Sequence, residues 1–215
     1  MAEDLEPLSR EDRLFTKGDD WSNNACLNST ADGWGTYSHG YKRAADLLIE
    51  HVERTSSDQN AVVYPALFLY RQYIELATKD ITYTARRLLA RAGGRPRGHD
   101  IRRLWADCRQ LLIEVSPDEP VNDLDELTRL IAEFADVDPG AQAFRYPVDS
   151  RGRPSLEGMR LLNLRSITYV QRLLGHSNPS TLLSIYSWVT KGEADIATTE
   201  FETWLGEEAR ALYAA

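Results

Sequence analysis

The stretch "AVVYPALFLYRQYIELATKDITYTARRLLARA", residues 61–92, constrains the fold of this chain more than any other. It holds no glycine, and its one proline, Pro65, sits near the start, where a helix tolerates it. The spacing predicts a single long helix from Ala61 to Ala92, ended by Gly93 and Gly94. Its apolar residues lie on all sides, so other elements must surround it. Yet it carries Arg71, Glu75 and Lys79 at i, i+4 and i+8, stacked on one face and able to pair in sequence. A buried charge needs a partner, because desolvating it alone is costly. Two readings stay open at this point: a polar site inside the bundle or at a dimer seam, and a structural ion pair.

The rest of the chain is periodic in the same way. A helix is expected over about 36–55, with Tyr37, Tyr41, Ala44, Ala45, Leu48 and Val52 near one face. Another is expected over about 100–115 and a fourth over about 123–135. "FRYPVDSRGRPSL", residues 144–156, holds two prolines and a Ser-Arg-Gly turn, and reads as a short hairpin or extended insertion near 142–156. A fifth helix is expected over roughly 158–174 and a last one from a Ser180 cap to about Tyr213, bent or divided at Gly192. The N-terminal 35 residues show neither helical nor strand period, and Trp21 and Trp34 are expected to dock this arm on the body. The expected class is therefore all-α. It is a bundle of about six helices, with an irregular arm at 1–35 and a single helical domain at 36–215.

Composition excludes several classes. No apolar run reaches the length of a membrane span. The opening "MAEDLEPLSREDR" is polar and acidic with no apolar core, so no export signal is expected and the cytoplasm is the expected compartment. Cys26 and Cys108 stand far apart and outside any Cys/His cluster, so neither a metal site nor a disulfide framework is expected, and no cofactor motif is present. Net charge is −8, which argues against a protein whose whole surface grips duplex DNA.

Against that acidic background, residues 86–103 hold seven arginines, opposed within the segment only by Asp100. His99 sits at the start of the third helix, whose free N–H groups carry the positive end of the helix dipole. Arginine forks beside such a terminus suit phosphate, so Arg95, Arg97, Arg102 and Arg103 are candidate phosphate or nucleic-acid contacts. Arg145, between Phe144 and Tyr146, is a further candidate, able to stack on a base. A solvated loop, or pairing with the chain's own carboxylates, accounts for the same residues.

Two family resemblances follow. "LGHSNPSTLLSIY" and "HDIRR" resemble the late histidine, nucleophilic tyrosine and His-x-x-Arg box of tyrosine recombinases, which would fall on His176, Tyr186, His99 and Arg102. The two fragments stand 77 residues apart, where the family has only a short helical stretch, and Trp188 takes a place usually held by histidine. This resemblance implies a recombinase-related DNA-binding protein. The second covers more of the chain, from Tyr37 to Arg165. "YSHGYKRAADLLIEH", "YPALFLYRQYIELATKD", "GHDIRRLW" and "FRYPVDSRGRPSL" resemble a bacterial group of HEPN-like helical proteins. It implies a helical bundle, a homodimer, and a place in a defence, toxin–antitoxin or stress system that engages RNA or nucleotides, with an antitoxin or operon partner. Active members of that superfamily cut RNA without metal through an Arg-x(4–6)-His motif. No arginine–histidine pair in this chain has that spacing. The expected site is therefore noncanonical: Arg71, Glu75 and His99, with His99 as the general acid/base and the arginines holding phosphate. A non-catalytic interaction protein is the alternative.

Overall fold

The computed structural model describes residues 13, 15–19, 21–27, 33–117, 122–164, 166 and 167. The chain divides into two compact units, Met1–Gly33 and Trp34–Ala215. In the first, a 3-10 turn spans Trp21–Asn23, and Asn24 closes a small loop by accepting from the Gly18 amide and donating to the Gly18 carbonyl.

In the second unit, the described residues form four helices: α1 (Trp34–Thr55), α2 (Gln59–Leu88), α3 (Ile101–Val115) and α4 (Asn122–Val137). None is long and apolar enough to cross a membrane. Trp34, expected in the arm, is instead the first residue of α1. Helix α1 buries Ser38, Lys42, Ala45, Asp46, Ile49 and Val52, one face at helical spacing, while Tyr37 is exposed. Three residues join α1 to α2, and a link that short makes the pair antiparallel.

Helix α2 is the spine, about 45 Å long at 1.5 Å per residue. It packs on both α1 and α3, and from Tyr70 to Ala85 nearly every side chain is buried. This is the surrounded helix that the all-round apolar pattern requires. It stops four residues before the expected end, because Ala90 takes a positive φ of 50° and turns the chain out. The α2–α3 loop, residues 89–100, uses Gly93 (φ 132°) and Gly98 (φ 90°) where side chains are strained. Asp100 then caps α3 by accepting from the Arg103 amide. Helix α3 packs on α4, where Trp105 Nε1 donates to Thr128 Oγ1 at 2.8 Å.

Beyond α4 the expected hairpin is a single antiparallel bridge between Val148 and Pro154 around a turn held by Asp149, and the described residues contain no strand. The fifth helix does not begin at Gly158. That residue takes a positive φ of 84°, residues 159–163 are non-helical, and helical backbone is first seen at Leu164. Leu156 and Leu164 still rest on the core, while Met159, Leu161 and Leu162 between them are exposed. The expected final helix lies outside the described residues.

Ile81 has no exposed surface and lies in the C-terminal third of α2. Ile81→Ala is expected to lower the unfolding free energy by about 2–5 kcal/mol, read as a fall in the urea midpoint by circular dichroism.

Candidate functional site

The ladder on α2 is buried. Arg71 has no exposed surface and Glu75 only 1%. The Arg71 guanidinium reaches three segments of chain. One terminal nitrogen donates to Glu75 Oε2 at 2.8 Å, the other to the His99 carbonyl at 2.5 Å, and Nε donates to the Asp138 carbonyl at 3.3 Å. Asp138 Oδ2 adds its charge 3.5 Å from Nε, while Oδ1 accepts from the Gln142 and Ala143 amides. Glu75 Oε1 receives Lys79 Nζ at 2.7 Å and meets His99 Nδ1 at 2.9 Å.

Burial pushes the Glu75 carboxyl upward. Hydrogen bonds from Lys79 and Arg71, the Lys79 charge and the His99 contact outweigh it and hold the group below the usual carboxylate range. His99 differs from its partners in exposure: its side chain is 70% exposed. The structure thus brings Arg71, Glu75 and His99 together, joins Lys79 and Asp138 to them, and leaves only His99 within reach of a ligand.

The arginine segment is less free than its local sequence suggests. Arg95 donates twice to Asp80 Oδ1, at 3.0 and 2.7 Å, and lies over the rings of Trp34 and Tyr83 at 4.8 and 4.3 Å. Arg91 pairs with Glu114 and Arg102 with Asp136. The opposing carboxylates come from elsewhere in the fold, not from Asp100. Arg97 and the Arg103 side chain are exposed and make no ion pair among the described residues. Arg145 lies apart from these, over Phe68 and Tyr146.

A second polar cluster escaped the sequence reading. Lys42 donates to Asp46 Oδ2 at 2.7 Å, and Tyr70 donates to Asp46 Oδ1 at 2.8 Å, all buried. Burial first, and the Asp46 charge second, raise the Tyr70 phenol well above its ordinary value, so it is a donor and not a nucleophile. Burial pushes the Cys108 thiol up to about 12, which makes it equally inert. Among the described residues no His, Cys, Asp and Glu side chains group as a metal site. The stretch from Val170 to Val189, with His176 and Tyr186, lies outside the described residues.

Comparison with known proteins finds no matching family, no matching characterised protein and no matching solved structure.

Two outcomes follow from the network. Arg71→Ala leaves Asp138 buried without its cation and is expected to cost about 3–5 kcal/mol in urea unfolding. Arg71→Lys restores the charge but not the three-way fork, and recovers only part of that loss. Because the folded-state pKa of Glu75 is lowered, its contribution is fully present above the ordinary glutamate value. It is lost as pH falls through the lower, folded value. Stability measured from neutral to acid pH therefore falls more steeply in the wild type than in Glu75→Gln.

Proposed function

We propose that this chain is an HEPN-like helical protein that engages RNA through the α2–α3 loop and cleaves it without metal, with His99 as general acid/base and Arg97 and Arg103 as phosphate contacts. The reading extends to a homodimer acting in a bacterial defence, toxin–antitoxin or stress system. The observation that carries it is His99 itself. An imidazole 70% exposed to solvent is held on one ring nitrogen by a carboxylate that is 1% exposed. That pairing of a presented ring with a buried orienting group is what proton transfer requires. Arg97 and Arg103, which make no ion pair among the described residues, flank it within four residues of sequence. Arg71 and Glu75, being buried, act through His99 and touch no substrate.

A second reading, a non-catalytic interaction protein, is favoured by a different observation. Leu161 is 95% exposed, beside a cavity of about 340 Å³ also lined by the half-exposed Tyr64 and Met159. An exposed apolar patch of this kind suits a partner protein.

The test is an RNA-cleavage gel with chelator present. Wild-type protein is expected to cut, and His99→Ala to cut about 10²–10⁴-fold more slowly. Arg97→Ala with Arg103→Ala is expected to weaken RNA binding and flatten its salt dependence. No cleavage by the wild type, together with unchanged binding in the arginine variant, overturns the proposal in favour of the interaction protein.

A further inference from the structure

We infer that Glu75 is a positioning residue that fixes His99 as its Nδ1–H tautomer, so that Nε2 meets a ligand as a proton acceptor. The geometry carries the assignment. Glu75 Oε1 lies 2.9 Å from His99 Nδ1 and 2.7 Å from Lys79 Nζ, while Oε2 accepts from Arg71 at 2.8 Å. A carboxylate between two cations is ionised, and an ionised carboxylate only accepts. The proton of the Glu75–His99 hydrogen bond therefore sits on Nδ1. In a neutral imidazole the other nitrogen is then bare, and Nε2 has no partner among the described residues.

The backbone fixes the ring from the other side. Arg71 holds the His99 carbonyl at 2.5 Å, and Asp100, the next residue, is locked as the cap of α3. The charged groups around the ring are Glu75, Lys79 and Arg71 on α2, with Asp138 beyond α4 paired to Arg71.

This bears on the class of ligand, and that part rests on the RNA reading above. A bare Nε2 accepts from a hydroxyl or an N–H, such as a ribose hydroxyl or a base amide. It does not bind a phosphate oxygen, which also only accepts. Phosphate then falls to Arg97 and Arg103, and His99 to a proton-bearing group of the same ligand.

The test is nitrogen NMR of the histidine rings in the full, uniformly labelled chain at about pH 8, above the ordinary histidine pKa of about 6.5. The chain has four histidines, and the ring signals missing from His99→Asn assign the residue. The expected wild-type spectrum shows a protonated Nδ1 and an unprotonated Nε2 at His99. A protonated Nε2, or rapid averaging of the two forms, overturns the inference. The wild-type spectrum decides the tautomer without any buried variant having to fold. Glu75→Gln replaces the anion with a weaker acceptor and is expected to shift His99 toward Nε2–H; an unchanged tautomer overturns the role given to Glu75. A chain that shows the expected tautomer, leaves RNA intact and binds it unchanged in the arginine variant upholds this inference while overturning the proposed function.

Discussion

A guanidinium with no solvent exposure is the constraint around which the described helices are arranged. A guanidinium carries five N–H donors and no acceptor, so the fold has to bring acceptors to Arg71. They come from Glu75 on α2, from the His99 carbonyl at the end of the α2–α3 loop, and from Asp138 just beyond α4. With Lys79, the buried cluster holds two cations against two carboxylates, so the cluster itself carries no net charge. One side chain thus ties three parts of the chain that are distant in sequence.

Such a cluster contributes less to stability than apolar residues of the same volume can, since desolvation offsets much of the attraction. What it supplies is direction. An apolar contact between α2 and the end of α4 tolerates small slides and rotations. A guanidinium fork with three occupied directions does not. The Lys42–Asp46–Tyr70 cluster works in the same way between α1 and α2: Asp46 presents one oxygen to its own helix and the other to Tyr70. The spine helix is therefore pinned on both flanks by polar groups set among apolar ones.

The helices were legible in the sequence because their apolar residues recur at helical spacing, and the Arg71–Glu75–Lys79 ladder because its members are four residues apart. What was hidden depends on pairing across distance. Asp138 lies in "DVDPG", which reads as an ordinary turn, and its partner is 67 residues away. Lys42 and Asp46 look like a surface pair, since nothing local announces the Tyr70 hydroxyl 24 residues on. The arginine segment misled for the same reason. Counting opposing charges within it finds only Asp100, whereas Arg95, Arg91 and Arg102 are met by carboxylates 15, 23 and 34 residues away. The fifth helix was placed too early because helical spacing in apolar residues does not register that Gly158 takes a positive φ.

Residues carried on loops are ordinarily the least fixed in a fold. The α2–α3 loop escapes that by being fastened at two points to the most buried helix. Arg95 is held by Asp80 and stacked on Trp34 and Tyr83, and His99 is held through both its ring and its carbonyl. Between them lie only Pro96, Arg97 and Gly98, with Pro96 limiting the freedom of the stretch further. The exposed imidazole consequently has the orientation of a residue on a helix together with the accessibility of a residue on a loop. That combination is the one a reacting group needs, and it comes from the same buried charges that set the packing of the bundle.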